Sequence, residues 1–263
     1  MTRLGCAALA TSKPRVKRIS DEPAWVLHGY DWSESSLILD VFTRHQGRVV
    51  LAAKGAKRPH SQLRPVLLPL QPISLSYSGE GEVKNLRAAD WQGVDLMPEG
   101  EALIAGLYLN ELLMRLLPRE DPHEALFDGY SQTIRTLTQS SELPVAVILR
   151  GFELMLLRAM GHLPELDRYT LTQQPLDGPA LLTVESGLLS APQQDKALPA
   201  QAWLLLQQAL ERDSPWSAVL AALATWDAAW RSALQHQLRQ VLHYHCGVQQ
   251  LHTRQLMMDL QTL

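Results

Sequence analysis

At 263 residues, with 46% apolar and 19% charged side chains, the chain has the composition of a globular protein with a real core, and its length suits two domains of roughly 100–200 residues each. Only two cysteines occur, Cys6 and Cys246, which excludes a disulfide framework or a four-cysteine zinc site, and no apolar run approaches the roughly 18 residues of a membrane span. The formal net charge of -3 conceals an asymmetry: through Trp91 there are 13 Lys and Arg against 8 Asp and Glu, and thereafter 11 against 19.

A basic module attracts polyanions whatever its tethered neighbour carries, so a nucleic-acid surface is expected in the first part. The low cysteine content points to a reducing compartment. Residues 1–23 hold Arg3, Lys13, Arg15, Lys17 and Arg18 and read as a basic arm, with a cleaved targeting peptide as the other reading.

From Ala24 the pattern is that of strands. "AWVLHGY", "SSLILDVFT", "GRVVLAAKG", "PISLSYSG" and "VKNLRAADW" are short, rich in β-branched or aromatic residues, and separated by turn formers. "DWSES", "RHQG" and "SGEGE" have turn compositions, whereas "RPHSQLRPVLLP" is too rich in proline for a strand and reads as the crossing element between the third and fourth. Five short strands with one long connection match an OB-fold over residues 24–95, and an SH3-like barrel has a similar strand count.

The period then changes to 3.6. "ALIAGLYLNELLMRLLP" places Leu103, Leu107, Leu109, Leu113 and Leu116 at helical spacing, with Asn110, Glu111 and Arg115 turned elsewhere. The second helix is "DPHEALFDGYSQTIRTLTQ", with Asp121 as the expected N-cap and Pro122 at its first position, and a third spans "LPVAVILRGFELMLLRAMGHLP". Residues 164–199 are polar and loop-like, with room for a small hairpin at "ALLTVESGLLS". Helical patterns resume from Ala200: one helix, then one long or two shorter ones through "HYHCG", and a last one at "LHTRQLMMDL". The fold expected is multidomain, β then α: a five-stranded barrel followed by an all-α helical domain over 96–263.

The ordered combination "SESSLILDVFTRHQGRVVLAAKGAKRPHSQLRPVLLPLQPISLSYSGEGEVKNLRAADW", "GLYLNELLMRLLPREDPHEALFDGY" and "LRGFELMLLRAMGHLPEL", closed by "LRQVLHYHCGVQQLHTRQLMMDL", resembles the bacterial RecO family of DNA repair and recombination mediators. The resemblance implies an N-terminal OB-fold, a helical C-terminal domain and a cytoplasmic, nucleoid-associated protein. It further implies binding to single- and double-stranded DNA, annealing of complementary strands, contacts with RecR and with the C-terminal tail of the single-strand-binding protein SSB, and indirect help to RecA. Some members carry a four-cysteine zinc module; with no cysteine between Cys6 and Cys246, that metal is not carried over, and neither a cofactor nor a catalytic residue is expected.

Annealing requires a surface that neutralises phosphates so that two strands approach, a task cations perform largely without reading sequence. Arg44, Arg48, Lys54, Lys57, Arg58 and Arg64 are the candidates, the alternative being incidental charge on a solvated loop. Arg15, Lys17 and Arg18 are a further, arm-borne set. Bases stack on aromatic rings at roughly 1–3 kcal/mol each. Of Trp25, Tyr30, Trp32, Phe42 and Tyr77, the pair Tyr30 and Trp32 beside a turn is expected to be exposed, and Trp25 and Phe42 to be core.

Arg150 lies among apolar residues in "VAVILRGFELMLL", where it either pairs with Glu153 one turn on or, following the resemblance, clamps the terminal carboxylate of the SSB tail in a groove lined by Leu109, Leu113 and Leu149. "PREDPH" and "HYHC" invite metal readings, but acids suit a helix start, and i and i+2 on a helix do not share a face. A hydrolase or nuclease with an accessory barrel, and a bare interaction scaffold, are the competing classes; no P-loop, HExxH or GxSxG supports the first.

Overall fold

A computed structural model describes residues 17–93, 97–139, 142–247 and 251–253. Arg15 and the rest of the arm before Lys17, and most of the last predicted helix, lie outside the described residues. Five strands, β1 (Arg18–Asp31), β2 (Leu37–Thr43), β3 (Gly47–Ala53), β4 (Pro72–Ser78) and β5 (Val83–Trp91), close into a barrel in the order β1-β2-β3-β5-β4. All neighbours are antiparallel except β3 and β5, whose parallel contact pairs Val50 to Ala52 with Val83 to Asn85 and shuts the ring. This is an OB-like arrangement.

β1 begins at Arg18 rather than at Ala24, so the end of the expected arm is strand. The reason is reach: the first half of β1 pairs with β4 and the second half with β2, and a single strand serving both must be long. Irregularities between Ile19 and Glu22 and between Val26 and His28 bend it around the barrel.

Alternation fills the interior. Ala24, Val26, Leu39, Val41, Val49, Leu51, Ile73, Leu75 and Tyr77 form the barrel core. The opposite faces of β1 and β2 are buried as well: Trp25, Leu27 and Phe42 belong to the core of the helical part. Strands packed on both sides lose the inside-outside alternation of a free sheet.

The helical part comprises α1 (Gly100–Leu116), α2 (Glu124–Thr138), α3 (Val145–Ala159), the hairpin strands β6 (Ala180–Thr183) and β7 (Gly187–Ser190), then α4 (Ala200–Leu210), α5 (Pro215–Ala224) and α6 (Ala228–His245). The long "SPWSAVL…HCG" pattern is two helices, the second capped by Asp227, whose side chain accepts from Trp230 N at 2.8 Å. α2 starts at Glu124 with His123 in the capping position and no side-chain cap, so Asp121 does not cap it. Asp121 instead packs its backbone against Gly47 and pairs with His123 at 3.4 Å.

The 164–199 region is held by buried amides. Gln207 accepts from Leu166 N at 2.8 Å, Gln237 accepts from Leu182 N at 2.5 Å, and Trp203 Nε1 donates to Ala180 O at 3.1 Å. These side chains satisfy backbone groups that a loop leaves open, which is why a polar stretch can sit on a core. No helix among the described residues is long and apolar enough to cross a membrane.

Candidate nucleic-acid interface

The β1–β2 turn and the β3–β4 connection meet at one end of the barrel, because Asp31, Leu37 and Ala53 occupy one register row. Lys57 joins them: its amide donates to Ser35 O at 3.0 Å, and its ammonium pairs with Asp31 at 3.0 Å and reaches Ser33 O at 3.3 Å. The connection is a chain of tight turns, Arg58 N to Gly55 O, Ser61 N to Arg58 O and Leu67 N to Leu63 O. Ala56, Leu67 and Leu70 are buried beneath it and pin it to the barrel mouth and the helical core. With Ala56, Leu67 and Leu70 turned in, Lys54, Arg58 and Arg64 are left exposed, and among the described residues none of the three has an ion-pair partner. Tyr30 and Trp32 stand at the same end, 48% and 59% exposed.

The other two candidates point away from this end. Arg44 forks onto Asp128 of α2, Nε to Oδ1 at 3.0 Å and Nη2 to Oδ2 at 2.9 Å, and also pairs with Glu124 at 3.1 Å. Its guanidinium holds the Asp128 carboxyl below the ordinary aspartate range. Arg48 is largely buried between Asp40 and the carbonyl oxygens of Met114 and Leu117. Both arginines therefore serve as struts between barrel and helices, and the cationic surface reduces to Lys54, Arg58 and Arg64, with Lys57 half-engaged. Lys84 is spent similarly on Glu120, whose carboxyl it holds below the usual glutamate range.

The aromatic expectations divide as alternation requires. Trp25 and Phe42 are buried, Trp25 donating from Nε1 to Ser131 Oγ at 3.0 Å and meeting Tyr130 edge-on at 5.4 Å. Tyr77 is core. Trp91, 53% exposed at the end of β5, was not singled out from the sequence, since its run reads as strand to its last residue. Asn110 and Glu111, expected to face away from the apolar stripe of α1, are themselves buried. Asn110 Nδ2 donates to Leu27 O at 2.9 Å, and Glu111 accepts from His252 N at 3.1 Å, Thr253 N at 3.0 Å and Arg115. Polar residues on a helix give no clue to which neighbouring element will cover them.

Arg150 pairs with Glu153, which is fully buried and also accepts from Tyr108 Oη at 2.7 Å. Burial beside that carboxylate pushes the Tyr108 phenol well above its ordinary value. Leu109 and Leu113 are completely buried and Leu149 is 7% exposed, so they form core and line no groove. A small cleft of about 30 Å³ does open at Arg150, between α3, α5 and α6, with Val147, Leu223, Arg231 and Leu234 around it. Among the described residues no group of three His, Cys, Asp or Glu side chains is placed to hold a metal.

Comparison with known proteins agrees with this architecture. Residues 18–93 match the family description "Recombination protein O N terminal" and residues 97–255 match "Recombination protein O C terminal". The chain is 53% identical over 252 residues to the DNA repair protein RecO of Variovorax paradoxus (strain S110), covering 94% of this chain and 98% of that one. It is 55% identical over 254 residues to the DNA repair protein RecO of Delftia acidovorans (strain DSM 14801 / SPH-1), with the same coverage.

Proposed function

The chain belongs to the RecO family of DNA repair proteins, and from that premise we propose that it is a non-enzymatic recombination mediator which binds single- and double-stranded DNA and anneals complementary strands. The observation that carries this reading is the set of unpaired cations, Lys54, Arg58 and Arg64, gathered beside exposed Tyr30 and Trp32 at one end of an OB-like barrel. Cations bind phosphates of any sequence, and aromatic rings stack on any base, so such a surface holds strands without selecting them. Bringing two strands into register then needs no bond made or broken.

The reading extends to the partners expected of the family: the SSB tail, RecR, and RecA as an indirect beneficiary, in the bacterial cytoplasm. For the acidic SSB tail we propose Arg150 and Arg231, the two cations that line the small cleft between α3, α5 and α6, as the groups that meet its terminal carboxylate.

Mixing the pure protein with two complementary oligonucleotides, with and without SSB and Mg²⁺, tests the main claim. Duplex formation faster than the spontaneous rate supports it. Cleaved strands would point to a nuclease, and strands left unpaired at the spontaneous rate would reduce the protein to a scaffold.

A further inference from the structure

Leu27 interrupts the β1–β2 ladder: Val26 stands opposite Val41, and His28 opposite Asp40. One extra residue on one strand shifts its alternation and re-aims the side chains beyond it. Trp25 and Leu27, two residues apart, already share the face that enters the helical core, and past the bulge His28 and Tyr30 join them on the outer face of the barrel, the face that carries Asp40, Phe42 and Arg48. Helix α1 covers part of that face. Beside it lies a cleft of about 500 Å³ between β1 and α1.

The lining of this cleft is specific. Leu27, Leu107 and Met114 are its apolar part, and His28 and Tyr30, with ring centroids 4.4 Å apart, make an aromatic wall. Its charged groups are already matched: Arg48 is paired with Asp40, and Glu111 has its oxygens taken up by Arg115, His252 N and Thr253, so the cleft carries no bare charge of either sign. Apolar surface with a few polar groups at a domain junction, within the usual range of roughly 300–1,000 Å³, is the character of a ligand site. Tyr30 is also the link outward: it is on the cleft lining and precedes Asp31, the partner of Lys57 in the cationic connection.

We propose that this cleft takes a single unstacked nucleobase from a strand whose phosphates run along Lys54, Arg58 and Arg64, an inference that rests on the nucleic-acid reading above. The apolar lining and the aromatic wall receive the flat faces of the base, the phosphates stay outside on Lys54, Arg58 and Arg64, and nothing in the pocket demands one base over another. Recognition of splayed-out bases by stacking on aromatic side chains is the usual mode for single strands. One base held out of the stack fixes the strand in place while its neighbours stay available for pairing.

The test compares the full-length protein's affinity for a thymidine strand and for an abasic strand with the same number of phosphates. The wild type should prefer the base-bearing strand by about tenfold. In Leu107→Trp, whose indole fills the cleft and leaves Tyr30 and Trp32 in place, that preference should drop by about threefold or more while the salt dependence is kept. An unchanged preference in this variant overturns the inference. Independently of how the variant folds, photocrosslinking of a 5-iodouracil strand to the wild type should label His28 or Met114 within the cleft; labels confined to Tyr30, Trp32 and the 54–71 connection overturn it. A wild type that binds neither strand would overturn the nucleic-acid reading itself, whereas binding without any dependence on the cleft removes only the pocket.

Discussion

Arg48 of β3 grips Asp40 of β2 with two prongs, Nε to Oδ1 at 2.8 Å and Nη2 to Oδ2 at 2.7 Å, while the same guanidinium donates to the carbonyl oxygens of Met114 and Leu117 at the end of α1. Asp40 is 4% exposed. Removing the cation alone strands a buried carboxylate, a loss of about 3–5 kcal/mol in comparable cases. Arg48→Ala should therefore lower the urea midpoint sharply, and Asp40→Leu combined with Arg48→Leu should recover part of the loss, because no charge is then left unpaired. If Arg48→Ala left stability unchanged and weakened DNA binding, the strut role would be wrong.

The triple variant Lys54→Ala, Arg58→Ala and Arg64→Ala should behave in the opposite way. These side chains are exposed and unpaired, so stability should change by no more than about 0.5 kcal/mol per site. Each phosphate contact to a single strand contributes about 0.7 to the slope of log affinity against log salt, so the slope should fall by about 2. A slope equal to that of the wild type would remove these residues from the interface.

Glu111 supplies a pH dependence. Burial pushes its carboxyl up, but the Thr253 amide and hydroxyl, the His252 amide and Arg115 together pull it below its ordinary value. A carboxyl depressed in the fold adds stability that is fully present above its unfolded pKa of about 4.3 and is lost as pH falls through the folded value. Wild-type protein should accordingly lose stability and expose the 251–253 amides below about pH 4.3, and Glu111→Gln should flatten that part of the profile. Urea midpoints and amide exchange at pH 6 and pH 3.5 will check both.

Gly47 has φ of +69°, and a Cβ there would lie 2.2 Å from Asp121 O. Gly47→Ala combines left-handed strain of about 1–2 kcal/mol with an overlap that only backbone movement can relieve. The β2–β3 turn should then separate from the 119–121 segment, and the protein should become more sensitive to proteolysis at that junction. A melting temperature equal to that of the wild type would mean the junction yields at no cost.

The strands and helices were legible because each carries its own length, composition and bounding turn residues. "GRVVLAAKG" is a short apolar run rich in valine between two glycines, and "VAVILRGFELMLL" is an apolar run too long for a strand, so β3 and α3 follow from local composition, length and bounds. The exposure of Tyr30 and Trp32 followed as well, from their place beside a turn. Asp121 misled because a capping sequence is only one use for an acid before a helix; here its backbone is packed against Gly47.

The partners of the charges were not legible. Arg44 and Arg48 lie in the same basic stretch as Lys54, Arg58 and Arg64, and nothing local distinguishes them. The difference arises when β2 and β3 turn their outer face to α1 and α2, which brings Asp128, Glu124, Met114 O and Leu117 O within reach of two cations and leaves the others at the far end. Leu109, Leu113 and Leu149 show the same limit, since an apolar residue at helical spacing reads alike whether it lines a groove or fills a core.

By itself the sequence determined the order and kind of the elements, the basic character of the first domain and the family, because periodicity, composition and motif order are properties of the chain. The tertiary structure alone decided which cations remain free, where the bulge at Leu27 aims His28 and Tyr30, and that a cleft opens between β1 and α1. Those outcomes depend on contacts between residues far apart in the chain, such as Arg44 with Asp128 and Leu27 with Asn110, and packing geometry selects them only once both domains are folded against each other.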